Sequence, residues 1–324
     1  MKEIKGILCA LLTPLNEDES IDLDAAERLT EFVAAGGTNG ILALGSTGES
    51  IALDREARNS FVKKVRECIP DEMPLLVGCG ATSTKLAIRN CKDAQALGAD
   101  GIIVTAPCFY PFGEDALSKY YEEIADAVDI PVYLYNISRF VGTTLTTSLV
   151  KRLSQDSRIK GIKESDRNEE LVQQLIAVTA HREDFAVIQG SDRIFLKSFD
   201  WGCKAGVTVV GNVAPELPVR LYRAWADGRR EEAQALQENL LHYVQAITCL
   251  GRYPRESWRT TMKATPMKRS AKCTKSPWKG KCCKLPREPV SPSCWCGTAG
   301  KPRCRCSAVF AVQQRQLRHW RNAT

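Results

Sequence analysis

GIIVTAPCFYPFGEDALSKYYEEIADAVDIPVYLYNI, residues 101–137, contains one complete unit of the pattern that decides the fold. Gly101–Pro107 is a short apolar, β-rich run that ends in proline. Glu114–Val128 carries apolar residues at three- and four-residue spacing, the period of a helix with one buried face. Pro131–Ile137 is apolar again. A strand buried on both faces reads as a continuous apolar run, and a parallel connection needs a crossover helix. The stretch therefore reads as strand, helix, parallel strand.

The same unit recurs on both sides of it. Strands are predicted at Gly6–Thr13, Gly40–Ser46, Pro74–Gly80, Gly101–Pro107, Pro131–Ile137, Ile159–Ser165, Phe185–Ser191 and Ala205–Asn212. Helices are predicted between and after them at Asp22–Ala35, Asp54–Cys68, Ser83–Leu97, Glu114–Val128, Thr146–Leu153, Asn168–Ala180 and Pro215–Ala226. Early acids and capping residues, as in Asp22-Leu-Asp24 and Asp54-Arg-Glu56, support the helix starts. Eight such units predict an α/β fold, a closed (β/α)8 TIM barrel. An open doubly wound sheet would need a phosphate-binding glycine turn after the first strand, and Leu12-Thr13-Pro14 offers none. A further helix is predicted over Glu231–Ile247. Beyond Leu250 the periodicity stops, which divides the chain into a barrel over residues 1–250 and a tail over 251–324.

Charge divides at the same place. Residues 251–324 hold 18 Lys+Arg and 2 Asp+Glu, against 27 and 36 in residues 1–250, so an acidic body of −9 precedes a tail of +16. The acidic body argues against nucleic acid as its main ligand. No apolar run approaches the ~20 residues of a membrane span, and Ile7–Leu12 reads as a buried strand rather than part of a signal peptide. Seven of the 14 cysteines are scattered through the body, several within apolar strands, as free thiols are in a reducing compartment. Those features point to the cytoplasm. His181, His242 and His319 form no metal-ligand pattern.

In a barrel of this kind the active site forms at the carboxyl ends of the strands. Lys163 ends the run Ile159-Lys-Gly-Ile-Lys. Held against the apolar barrel, its amine is partly desolvated, and a free amine can attack a ketone. Taken alone, Lys163 fits a strand-end lysine reaching solvent better. Tyr135 ends the neighbouring strand, where a phenol can shuttle protons, although a core tyrosine would look the same. Gly45-Ser-Thr-Gly-Glu49 joins flexible glycines to hydroxyls and amides, a cradle for a carboxylate. It lacks the Gly-Lys-Ser/Thr of a nucleotide-binding loop.

Four elements occur together and in order: Gly-Ser-Thr-Gly-Glu at 45–49, Tyr-Asn-Ile at 135–137 with Gly142, Gly-Ile-Lys-Glu-Ser at 161–165, and Gly-Ser-Asp at 190–192. This ordered set resembles the dihydrodipicolinate synthase / N-acetylneuraminate lyase family of class I aldolases, over about residues 1–250. The resemblance implies a pyruvate Schiff base on Lys163, with Tyr135 as acid and base. It implies substrate binding by Ser46, Thr47, Ser165, Gly190, Asp192 and Val207, and offers Tyr110 as a proton relay. It implies no metal and no organic cofactor, a 2-oxo acid such as pyruvate as ligand, and a homotetramer or dimer.

Within that family the synthase branch carries an arginine where this chain has Phe140, with Arg139 one place early. It also carries a tyrosine pair where this chain has Cys108 and Phe109. Pro107-Cys-Phe-Tyr-Pro-Phe112 is closer to the sialic acid lyases, in which the aspartate matching Asp192 binds sugar hydroxyls, although Arg193 stands where a glutamate follows. These departures favour a sugar-acid aldolase, either N-acetylneuraminate lyase-like or 2-keto-3-deoxy sugar-acid aldolase-like, over a dihydrodipicolinate synthase. They also motivate a rival of another class, a catalytically silent regulatory or binding barrel. The tail departs from the family altogether. Its Cys294-Trp-Cys296 and Cys304-Arg-Cys306 pairs lack the spacing of a zinc module. Its abrupt change of composition favours sequence read out of the native frame, and its charge predicts poor packing.

Overall fold

The computed structural model describes residues 2–249. Eight strands run β1 (Gly6–Ala10), β2 (Gly40–Ala43), β3 (Leu75–Gly78), β4 (Gly101–Thr105), β5 (Val132–Asn136), β6 (Ile159–Glu164), β7 (Ala186–Gln189) and β8 (Ala205–Thr208). Each pairs in parallel with the next, and β8 returns to β1 through Gly6↔Ala205 and Leu8↔Val207, so the sheet closes into a barrel. The fold is the (β/α)8 barrel that the repeated unit predicts.

The helices are α1 (Leu23–Ala35), α2 (Arg55–Cys68), α3 (Thr84–Ala96), α4 (Glu114–Asp126), α5 (Ser138–Val141), α6 (Thr147–Leu153), α7 (Glu169–Thr179), α8 (Phe195–Trp201), α9 (Glu216–Ala226) and α10 (Arg230–Cys249). Five of them start on a side-chain cap. The carboxylate of Asp22 accepts from the Ala25 amide at 2.9 Å and that of Asp54 from the Ala57 amide at 2.8 Å. Ser83, Thr146 and Asn168 cap α3, α6 and α7 in the same way. Each such cap contributes about 1 kcal/mol. Apolar residues of α1, α2 and α4, such as Leu29, Phe61 and Tyr121, are fully buried against the barrel.

Two features differ from the sequence reading. The sequence reading lacks the one-turn α5 and also α8. The latter spans two turns, no side chain caps it, and its buried residues Phe195, Leu196 and Phe199 are too few to establish a period. The strands are also shorter than the apolar runs that mark them. β2 stops at Ala43 because Leu44 takes a left-handed φ of 55°, which breaks the ladder. The turn there is tight: a Cβ on Gly78 would lie 2.0 Å from the Leu44 carbonyl oxygen, so only glycine fits on β3.

Cys9, Cys79, Cys91 and Cys203 are buried free thiols, as the scattered cysteines of the body suggest. Among the described residues no helix is long and apolar enough to cross a membrane. The expectations for residues 251–324, and the boundary that sets them apart, fall outside the described residues.

Candidate active site

The register of the barrel assembles the site. Tyr135 on β5 pairs with Lys163 on β6, which pairs with Ile188 on β7, which pairs with Ala205 on β8. Paired residues of parallel strands share a face, and residues two apart along a strand share it too. Gly190 and Val207 follow Ile188 and Ala205 by two, which places them one layer nearer the strand ends. Lys163 is 4% exposed and Tyr135 3%. The Lys163 Nζ lies 3.9 Å from the centroid of the Tyr135 ring. The two strand ends thus bring a buried amine and a buried phenol together.

The phenol is tied to the second strand as well. Tyr135 and Ser46 hydroxyls hydrogen-bond at 3.0 Å. Burial pushes the Tyr135 phenol up. The charge of Lys163, with hydrogen bonding from Lys163, Ser46 and Ser165, outweighs burial and leaves the phenol below its ordinary value. The Ser165 hydroxyl is buried beside the phenol that it helps to hold down.

Ser46 and Thr47 lie in the turn between β2 and α2. The Gly48 amide donates to the Gly45 carbonyl at 3.1 Å and the Glu49 amide to Ser46 at 3.2 Å. Thr13 donates its hydroxyl to the Gly48 carbonyl at 2.7 Å, pinning the turn to the end of β1. The amides of Ser46 and Thr47 find no acceptor among the described residues. Adjacent unpaired amides beside two hydroxyls form a concavity suited to a carboxylate.

Gly190 is the position that leaves room for the lysine. A Cβ there would sit 1.9 Å from Ser165 Oγ, 2.9 Å from the Glu164 carbonyl oxygen and 3.0 Å from Lys163 Cε. The Asp192 carboxylate is buried and hydrogen-bonded to the end of β8. One carboxylate oxygen accepts from the Thr208 hydroxyl and the other from the Val209 amide at 3.1 Å, while its carbonyl accepts from Gln237 at 2.9 Å. Burial pushes its carboxyl up against these hydrogen bonds. Both of its oxygens are thus turned toward the end of β8. Tyr110 is not brought to the pair: it is 66% exposed, and its ring packs edge-on against Phe109 at 4.9 Å.

Sequence reasoning missed the layer behind the site. On the outer face of β5 and β6, Asn136 donates to Glu164 at 2.5 Å, and the Asp166 amide donates to the other Glu164 oxygen at 2.5 Å. The Asn136 side-chain oxygen accepts from Leu145 N at 2.9 Å, and Asp166 accepts from Ser138 N at 2.8 Å. Burial pushes the Glu164 carboxyl up, opposed by the hydrogen bonds from Asn136 and Asp166. This network fixes the β5–α6 loop directly behind Lys163 and Tyr135. Its only trace in the sequence is that Asn136 and Glu164 each follow a site residue by one. Arg139 also lies here, its guanidinium 4.9 Å from the Phe140 ring and donating to the Ser165 carbonyl at 2.6 Å. The cation that Phe140 was read to displace is therefore held over Phe140 itself. Among the described residues no group of three or more His, Cys, Asp or Glu side chains is arranged to hold a metal ion.

The family model of the Dihydrodipicolinate synthetase family matches residues 3–274. The chain belongs to that family. The match runs past Leu250, where the periodic pattern stops. Among relatives, an uncharacterized DapA-like lyase from Halobacterium salinarum is 34% identical over 75% of this chain and 79% of its own. A 4-hydroxy-tetrahydrodipicolinate synthase from Methanosphaerula palustris is 35% identical over 75% and 84%. Among solved structures, dihydrodipicolinate synthase from Acinetobacter baumannii, complexed with pyruvate, aligns with a TM-score of 0.76 at 27% identity, covering 81% of this chain and 89% of that one. YagE, a prophage protein of the dihydrodipicolinic acid synthase family from E. coli K12 in complex with pyruvate, aligns with a TM-score of 0.78 at 27% identity, covering 97% and 98%. Membership makes the protein a lyase of the class I aldolase type.

Proposed function

We propose that this dihydrodipicolinate synthetase-family lyase joins pyruvate to an aldehyde, or releases it from a larger 2-oxo acid, through a Schiff base on Lys163. The observation that carries this reading is the buried Lys163–Tyr135 pair, with the phenol held below its ordinary value. Lys163 is the nucleophile. Tyr135, kept poised by Lys163 and Ser46, moves protons at the forming carbinolamine and at the bond that breaks. The Ser46 and Thr47 amides and hydroxyls take the 2-oxo acid carboxylate, opposite the lysine. Gly190 gives the lysine its space, Ser165 offers a hydroxyl to the bound ligand, and Val207 walls the next layer. Asp192 holds the end of β8 through Thr208 and Val209. Tyr110, exposed as it is, has no place in the relay of this chain taken alone. The pyruvate bound in the two family structures supports the choice of ligand.

The aldehyde partner is a finer question. Phe140 favours a sugar-acid aldolase, N-acetylneuraminate lyase-like or 2-keto-3-deoxy sugar-acid aldolase-like. The Arg139 guanidinium laid over that ring removes much of the force of the argument, and the named synthases among the relatives favour the synthase reaction. A pyruvate-release assay with N-acetylneuraminate and 2-keto-3-deoxygluconate, run beside condensation of pyruvate with aspartate semialdehyde, decides between them. Turnover in the condensation alone would discard the sugar-acid reading. The silent-barrel alternative predicts turnover in none and no adduct on Lys163. A cytoplasmic homotetramer or dimer, with residues 1–250 as the catalytic domain and 251–324 as an appendage, completes the proposal.

A further inference from the structure

The turn that carries Ser46 and Thr47 is held in a backbone that the residues at its ends disfavour. Leu44 and Glu49 flank it, and both take a left-handed φ, 55° and 51°. A side chain makes that region unfavourable, so such residues persist only where their surroundings hold them. One buried side chain reaches both ends of the turn. Arg58, on α2, is 7% exposed. Its Nη1 donates at 3.1 Å to the carbonyl of Ser50, the residue that follows Glu49. Its Nη2 donates at 2.7 Å to the carbonyl of Gly78 at the end of β3. Gly78 lies against the other end of the turn: a Cβ there would be 3.2 Å from the Gly45 nitrogen. Burial pulls the Arg58 guanidinium below its ordinary value, yet an arginine stays charged. Asp93, the acid whose charge reaches it, is bonded through both oxygens to Arg55. Burying a cation against carbonyls is unfavourable unless they are well placed, and here they are the backbone on either side of the turn.

We infer that Arg58 is the positioning residue of the carboxylate cradle: by bridging the Ser50 and Gly78 carbonyls it keeps the Ser46–Thr47 turn in its ligand-ready form. The inference rests on the proposed reading that this turn takes the carboxylate of pyruvate. The guanidinium is turned to backbone carbonyls, so Arg58 acts through the turn and not on the reacting atoms. Without the bridge the turn visits other conformations, and apparent affinity falls with the fraction that stays competent. Saturating pyruvate recovers that fraction, so half-saturation moves while the maximum is kept. Arg66, further along the same helix, is the contrast. It also donates to carbonyls, those of Ile69 at 3.1 Å and Pro70 at 2.7 Å. Those lie in the loop that leads into β3, at the face of the barrel opposite the strand ends.

The test is the pyruvate dependence of borohydride trapping at Lys163, read by mass spectrometry on the full-length protein, with thermal melts alongside. Arg58→Met is expected to raise half-saturation by about ten-fold, the scale of one hydrogen bond to a charged group. The adduct at saturating pyruvate stays on Lys163. Arg58→Lys keeps the charge but reaches one carbonyl where the fork reaches two, and should raise half-saturation by about three-fold. Arg66→Met should lower Tm and leave half-saturation in place. Half-saturation unchanged in Arg58→Met, or raised as much in Arg66→Met, overturns the inference. If Arg58→Met does not fold, Arg58→Lys decides by the same two outcomes. A wild type that traps nothing removes the Schiff-base reading instead. Calorimetric titration with pyruvate across the same variants then decides Arg58: a weakened Kd supports the inference, and an equal Kd or no binding overturns it.

Discussion

Gly190 and Lys163 share one volume: a side-chain carbon on the glycine would come within 3.0 Å of the lysine Cε and within 1.9 Å of Ser165 Oγ. The lysine side chain is flexible, but Ser165 and the Glu164 carbonyl, 2.9 Å from the same point, are held by the strand. Gly190→Ala must therefore push Lys163 and Ser165 aside. Overpacking of this kind costs about 1–3 kcal/mol, and a nucleophile misplaced by ~1 Å loses on the order of 100-fold in rate. Gly190→Ala is expected to fold with a lowered Tm and to lose kcat far more than it raises KM. Steady-state kinetics with thermal melts check this; unchanged kcat would show that the lysine does not need the space.

Tyr135 carries the clearest titration. Its phenol ionises below the ordinary value of about 10. A group with a depressed acid pKa adds stability that is fully present above its unfolded value and is lost as pH falls through the folded one. A tyrosinate absorbance titration, taken as wild type minus Tyr135→Phe, should show a component below 10. In Lys163→Met the main opposing charge is gone and burial dominates, so the component should move above 10. If the two titrations coincide, Lys163 is not what holds the phenol down.

Ser46→Ala removes the hydroxyl bonded to Tyr135 at 3.0 Å. One such buried bond is worth about 1 kcal/mol. The phenol should rise by less than in Lys163→Met, and the KM for pyruvate should increase several-fold as the carboxylate cradle loses a donor. A cycle with Tyr135→Phe tests the pairing, since additive effects would mean that the two hydroxyls act separately.

Glu164 gives a stability signature. Its buried carboxyl is held above the ordinary value, so the folded state keeps a proton that the unfolded state has already released. Stability from this group is fully present below the unfolded value and is lost as pH rises through the folded one. Glu164→Gln cannot ionise. Relative to wild type, it should gain stability on going from acid to neutral pH. Urea unfolding of both proteins across that range measures the difference. A gap that does not change with pH would place the cause elsewhere.

Much of this architecture is legible in the sequence, because the strands of a closed parallel barrel are buried on both faces and announce themselves as apolar runs. Lys163 and Tyr135 each end such a run, but position alone does not set them apart; the ordered set of motifs around them does. What escaped was short or lateral. α8 has two turns and no cap, too little for a period to show. The end of β2 depends on the left-handed backbone of Leu44, which composition does not reveal. The family resemblance implies a substrate contact at Asp192; that the Thr208 hydroxyl and Val209 amide, distant in sequence, donate to its carboxylate shows only in the fold. Arg139 stands one residue from the expected place, and only the fold shows its guanidinium returning over Phe140.

Lys163 is the proposed nucleophile on which every other role depends. The direct measurement is peptide mass spectrometry after borohydride reduction of the protein with pyruvate. The expected result is one reduced pyruvyl adduct, located on Lys163, absent in Lys163→Met and retained at lower yield in Tyr135→Phe. A folded wild-type protein left unmodified at Lys163, or modified equally at surface lysines, would contradict it.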